Sequence, residues 1–101
     1  MTRDEILTLG QRVVQMERDA LAEVERRLDD GFVRAVELVA ASSGRVIVSG
    51  VGKSGLIARK IAATLTSTGT PATFLHPVEG LHGDLGIVSH DDIAILLSKS
   101  G

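Results

Sequence analysis

From position 49 to 55 the chain reads Ser-Gly-Val-Gly-Lys-Ser-Gly, a stretch whose residue types suit the binding of an anion. Gly50, Gly52 and Gly55 let the backbone come close to a ligand. Lys53 adds a full positive charge and Ser54 a neutral donor. Ahead of the glycines, Val46-Ile47-Val48 is an unbroken β-branched run, as suits a strand buried on both faces. Behind them, Leu56, Ile57, Lys60, Ile61, Thr64 and Leu65 recur at the spacing of one helix face. The first N–H groups of a helix have no partner inside it, so a strand, a glycine turn and a helix start form an anion site.

The rest of the second half repeats this organisation. Ala72-Thr73-Phe74-Leu75 reads as a short strand closed by His76-Pro77, and Val78–His82 as one helical turn. Gly83-Asp84-Leu85-Gly86 reads as a glycine-bounded loop and Ser89–Asp92 as a turn. Ile93–Leu97 reads as a third buried strand, followed by Ser98-Lys99-Ser100-Gly101. Strands separated by helical segments predict a parallel α/β sheet with right-handed crossovers. In such sheets ligands bind beyond the carboxyl ends of the strands. Residues 50–55, 76–84 and 98–101 all fall there.

Three ligands compete for the glycine turn. Residues 50–55 fit G-x-G-x-x-G, the dinucleotide fingerprint, but His76 stands where an acidic residue should hold a ribose. Gly52-Lys53-Ser54 resembles the end of a nucleotide P-loop, but that motif needs a glycine at position 47, which is Ile. The third is a small phosphate ester held by amides and hydroxyls, and the second hydroxyl pair, Ser98 and Ser100, favours it.

Composition narrows the classes. A chain of 101 residues makes one small domain, and 44% apolar residues support a packed core. The net charge of −2 gives no footprint for nucleic acid, and two Phe with no Trp or Tyr give no base-stacking platform. The absence of Cys excludes disulfides and thiolate metal sites and fits a cytoplasmic protein. His76 and His82 have no evident third ligand, so no metal is expected. The first residues are charged and lack the apolar core of a signal peptide, and no run is long enough to span a bilayer.

The first 44 residues differ in kind, with six Arg and nine acidic residues. Thr2-Arg3-Asp4-Glu5 has the form of a capping box. Ile6, Leu9, Val13, Met16, Ala20, Val24 and Leu28 then recur every three or four residues, predicting one helix over about 3–28. Such a helix overhangs a small domain and is expected to contact a partner subunit. Asp29-Asp30-Gly31 begins a second helix with Phe32, Val36, Val39 and Ala40 inward and Gly44 as a left-handed C-cap. Gly69 is expected to cap the third helix, over 54–68, in the same way.

Taken together, residues 48–55, Ala62-Ala63-Thr64, 67–71, His76-Pro77-Val78-Glu79-Gly80-Leu81-His82-Gly83-Asp84-Leu85-Gly86 and Ser98–Gly101 resemble the sugar isomerase (SIS) domain of the arabinose-5-phosphate isomerase family. The match runs almost continuously from residue 45 to 101. The resemblance implies a three-layer, flavodoxin-like parallel sheet, here its first half (45–101) behind a helical segment (1–44). It further implies interconversion of D-ribulose 5-phosphate and D-arabinose 5-phosphate on the way to the Kdo sugar of lipopolysaccharide. No cofactor is implied, and the family assembles as tetramers, usually with two CBS domains. The 101-residue chain stops within the second phosphate loop, so by this likeness it is not expected to catalyse alone.

Carried over by position, Lys53 would neutralise phosphate or enediolate charge and His82 would lie near the sugar hydroxyls and carbonyl. Gly52, Ser54, Gly55, Ser98 and Ser100 would hold the phosphate, with Asp84 orienting His82 or its loop. No residue present matches the family's general base. A non-catalytic sugar-phosphate sensor and a structural oligomerisation module are the competing classes. The open edge of the third strand is expected to be covered in a homo-oligomer.

Overall fold

The computed structural model describes residues 1–81 and 84–100, without the side chains of Glu79, Leu81, Asp84 and Leu85. His82, Gly83 and Gly101 lie outside the described residues. Two compact units, residues 1–35 and 36–101, are taken separately.

In the first unit, α1 runs from Arg3 to Arg27, about 37 Å at 1.5 Å per residue. Its start is the expected capping box. The Glu5 N–H donates to Thr2 Oγ1 at 3.1 Å, and the Thr2 N–H to Glu5 Oε2 at 2.8 Å. Asp4 and Glu5 in the first turn and Arg26 and Arg27 in the last oppose the helix dipole favourably. No residue of α1 is buried, and Ile6, Leu9, Val13, Met16 and Val24 stay exposed. A second helix, α2 (Asp30–Ala41), begins in an Asx turn in which the Gly31 N–H donates to Asp29 Oδ1 at 2.9 Å.

The second unit is built on β1 (Val46–Gly50), all five residues of which are buried. β1 is the centre of a parallel sheet ordered β2-β1-β3, with β2 at Ala72–Phe74 and β3 at Ile93–Leu97. Val46 pairs with Ala72 and Ile93, and Val48 with Phe74 and Ile95. Between β1 and β2 lies α3 (Lys53–Ser67), and between β2 and β3 lie α4 (Pro77–Leu81) and a 3-10 turn, Asp84–Ile87. The core is Val46 and Val48 packed against Ala58 and Ala62, with Val39, Ile61, Leu65, Phe74 and Ile95 around them.

Several local expectations change. On α3 the buried positions are Gly55, Ala58 and Ala62, whereas Leu56 and Ile57 are exposed. The helix starts so close to the sheet that small side chains take its most buried positions, with Ile61 and Leu65 half-buried against the core further along. On α2, Phe32 and Val36 are exposed, and only Val39 of that face joins the core. Gly69 is left-handed at φ 104°, as expected for a helix C-cap, but Gly44 is not. Gly44 is required by space instead, since a Cβ there would stand 2.5 Å from the Asp91 carbonyl oxygen. The stretch 84–87 is a 3-10 turn rather than an open loop. β3 alternates half-buried and exposed positions, with Leu96 76% exposed, so it is not buried on both faces.

The amino ends of β1 and β3 are tied by Asp92, whose side chain is only 3% exposed. The Arg45 N–H donates to its Oδ1 at 2.7 Å and the Ser89 N–H to its Oδ2 at 2.8 Å. These backbone bonds, Ser89 first and Arg45 second, hold the Asp92 carboxyl below its ordinary range. The Arg45 charge adds to them and desolvation opposes them. A depressed carboxyl stabilises the fold above its unfolded value of about 3.9 and loses that contribution as pH falls through the folded value. Asp92→Asn should therefore lower the urea midpoint at about pH 7, because its amide nitrogen cannot accept from Ser89. The gap to wild type should close as pH falls below about 4. A gap of constant size across the titration would show that the carboxylate charge is not what matters.

Candidate functional site

The glycine turn is shaped by two separate demands. Gly52, the N-cap of α3, has φ 62° and ψ −130°, a region closed to L side chains, and open space beside it. Gly50 and Gly55 answer to contact instead. A Cβ on Gly55 would meet the Gly50 carbonyl oxygen at 2.6 Å, and one on Gly50 would meet the Ser54 carbonyl at 2.9 Å. The strand end and the helix start thus touch through backbone alone. The first α3 turn closes with the Gly55 N–H donating to Val51 O and the Leu56 N–H to Gly52 O, at 3.4 and 3.2 Å. Among the described residues, no side chain caps this helix start. Its leading amides and the positive end of a 15-residue helix therefore point outward.

Along the sheet face turned away from α3, from Asp92 to the carboxyl ends of β1 and β3, runs a cleft of about 640 Å³. Its rim carries Ser54 from α3 and Ser98, Lys99 and Ser100 from the segment after β3. Pro77 and Gly80 of α4 line another side. Its floor is the sheet face turned away from α3: Ile47, Ser49, Ala94 and Leu96, with Leu75 and Val88 beside them. The structure thus brings Ser54, Ser98 and Ser100 to one cavity. Lys53 is exposed one residue before Ser54, and neither it nor Gly52 or Gly55 lines the cavity wall. Asp84 opens the 3-10 turn and its side chain is not described, while His82 lies outside the described residues.

Charge is sorted along the strands. Lys53 and Lys99 stand at the carboxyl end. Asp92 also lines the cleft, six residues before Ser98, so roughly 20 Å away along an extended strand. Its carboxylate is already engaged by two backbone N–H groups. The remaining described histidines lie elsewhere. His76 accepts from the Val78 N–H at Nδ1, 3.1 Å, and so caps α4. Its ring meets Phe74 edge-on, and the Arg59 guanidinium lies 4.1 Å from the centre of the Phe74 ring. His90 is on the surface beside Asp91. Among the described residues no cluster of His, Cys, Asp and Glu could hold a metal ion.

The SIS domain model matches residues 40–101. The chain belongs to the SIS domain family. Its SIS portion begins in the last turn of α2 and includes the whole sheet. It is similar to arabinose 5-phosphate isomerase KdsD of Pseudomonas aeruginosa, 53% identical over 92 residues, 91% of this chain and 28% of that protein. Arabinose 5-phosphate isomerase GutQ of Escherichia coli K12 is 48% identical over 96 residues, 95% of this chain and 30% of that protein. The SIS fold is matched by E. coli CFT073 c3406, solved in complex with arabinose 5-phosphate, with a TM-score of 0.89 and 42% identity. That match covers 97% of this chain and 52% of that one. The chain therefore spans under a third of the length of the curated relatives and about half of the solved one.

Two wall residues escape the sequence reading. Ser49 is hidden because the apolar run that marks the strand stops at Val48. Extending period-two alternation to Gly50 puts Ser49 beside Ile47 on the face away from the core. Lys99 stands between two serines that draw notice for their hydroxyls, and its charge is the signal.

The backbone contact between Gly50 and Gly55 gives a direct test. Gly55→Ala should destabilise the fold by about 1–3 kcal/mol, the usual range for overpacking, because a carbonyl cannot retreat as a side chain can. Gly86→Ala, with nothing near its Cβ, is the matched control. Equal urea midpoints for the two variants would refute the close approach.

Proposed function

We propose that the chain is the phosphosugar-binding part of an isomerase interconverting D-ribulose 5-phosphate and D-arabinose 5-phosphate, in the route to the Kdo sugar of lipopolysaccharide. One observation carries the reading. Hydroxyls from two separate segments, Ser54 in the first turn of α3 and Ser98 and Ser100 after β3, meet in one cleft at an uncapped helix start. Donors with little net negative charge around them suit a phosphate monoester. The relatives' printed activity and the neighbour solved with arabinose 5-phosphate support the same ligand.

In this proposal Ser54, Ser98, Ser100 and the backbone at Gly52 and Gly55 hold the phosphate. Lys53 neutralises phosphate or enediolate charge, His82 reaches the sugar oxygens, and Asp84 orients His82 or its loop. Aldose–ketose isomerisation needs a base at the carbon beside the carbonyl and a donor for the enediolate oxygen. Lys53 and His82 offer the second function, and no residue is assigned the first. Residues 45–101 would be the first half of the SIS domain, behind a helical segment 1–44, inactive alone and working in the cytoplasm without a cofactor. Among the described residues no helix is long and apolar enough to cross a membrane.

Calorimetric titration checks the ligand. Arabinose 5-phosphate should bind and NAD should not, and Ser54→Ala should weaken binding by about tenfold or more, as for a hydrogen bond to a charged group. Binding of NAD in preference to the pentose phosphate would refute the reading.

The proposal extends to assembly. α1 carries Ile6, Leu7, Leu9, Val13, Val14, Met16, Leu21 and Val24 exposed, which at 100° per residue cover roughly half its circumference. Such a face suits burial against another subunit. Sedimentation at micromolar concentration should give a homo-oligomer, with a tetramer expected by family likeness; a monomer would refute it.

A further inference from the structure

The floor of the cleft is apolar except at one point. Ile47, Ala94 and Leu96 supply hydrocarbon from the sheet, and Leu75 and Val88 extend it. Ser49 interrupts this surface. It is 7% exposed and lines the cleft. Its place follows from the strand: Val46 and Val48 turn into the core with Ala58 and Ala62, so Ile47 and Ser49 turn the other way. In the sheet it is paired with Leu96 of β3. Among the described residues no hydrogen bond reaches its hydroxyl. No buried side-chain oxygen among the described residues lacks a partner, so this unbonded hydroxyl meets the open space of the cleft, and alanine would fit the strand position without offering that contact.

We propose that Ser49 is a specificity-determining residue whose hydroxyl hydrogen-bonds an oxygen on the carbon chain of the ligand. The inference rests on the phosphosugar reading above. The phosphate donors, Ser54, Ser98 and Ser100, stand on the rim beyond the strand ends, whereas Ser49 is inside the strand and under that rim. A phosphate at the rim leaves its carbon chain over the floor. A serine hydroxyl both donates and accepts, which matches a sugar hydroxyl, while a phosphate dianion only accepts. The surrounding Ile47, Leu75 and Leu96 offer hydrocarbon to the carbon–hydrogen faces of the chain.

Two ligands separate the possibilities: arabinose 5-phosphate, and n-pentyl phosphate, which keeps the phosphate and the chain but lacks the hydroxyls. Ser49→Ala should weaken arabinose 5-phosphate by about 3- to 10-fold, as for one neutral hydrogen bond, and leave pentyl phosphate unchanged. Its thermal midpoint without ligand should equal or exceed that of wild type. Wild-type affinity for the sugar phosphate in the variant would overturn the inference alone. Equal loss for both ligands, or a thermal midpoint lowered by several degrees, would overturn it too, giving Ser49 a role in phosphate contact or in the fold. Failure of wild type to bind either ligand would remove the phosphosugar reading and the inference with it.

Discussion

The second unit depends on a contact in which no side chain takes part. The carbonyl of Gly50, at the end of β1, and the backbone at Ser54 and Gly55, at the start of α3, approach to distances that exclude a Cβ on either glycine. This contact fixes the angle at which α3 leaves the strand. It explains why Ala58 and Ala62, one and two turns along from Gly55, are the helix residues buried on the sheet. A larger residue at any of these positions would lift the helix from β1. Lifting it would also withdraw its leading N–H groups from the end of the strand, where the cleft opens. Packing and the placing of those amides are thus one geometric condition.

The sheet carries a second polarity, electrostatic rather than steric. At its amino end the carboxylate of Asp92 is bound by the backbones of Arg45 and Ser89 and faces the Arg45 guanidinium at 3.6 Å. The Ser42 hydroxyl ties the same corner by donating to the Asp91 carbonyl at 3.0 Å. At its carboxyl end stand hydroxyls, unpaired helix amides and two lysines. A free carboxylate on the cleft wall would oppose an anion. One engaged by two amides and set a strand's length away opposes it far less. The acidic residue in the cavity therefore serves the junction of β1 and β3.

Much of this is legible in the sequence because it is written in residue type. The β-branched run at 46–48, the alternation of elements and the Thr2–Glu5 box give the parallel sheet and α1 within a residue or two. The serine pair after β3 points to the same end of the sheet as Ser54. What escapes depends on distances between segments far apart in sequence. Gly44 reads as a left-handed cap, since glycine after a helix usually is one, but its constraint is the Asp91 carbonyl 47 residues on. Leu56 and Ile57 face inward by hydrophobicity alone, and the close helix gives those places to Gly55 and Ala58. Ser49 goes unnoticed because a single hydroxyl inside an apolar strand gives no pattern of its own.

The chain presents two exposed apolar surfaces, and their chemistry separates their uses. Along α1 the apolar positions form a convex stripe of Ile, Leu, Val and Met on a helix with no buried residue. Such a surface gains only by excluding water against another apolar surface, which is the chemistry of protein packing. The floor of the cleft is concave, is interrupted by the Ser49 hydroxyl and is bordered by serines, a lysine and a helix start. A protein segment laid there would have to satisfy each of those donors while it buried Leu96 and Ile47. A small molecule with a charged end and a hydroxylated chain meets both demands at once. The cleft therefore differs from the α1 stripe in offering directional donors at its rim beside its apolar floor.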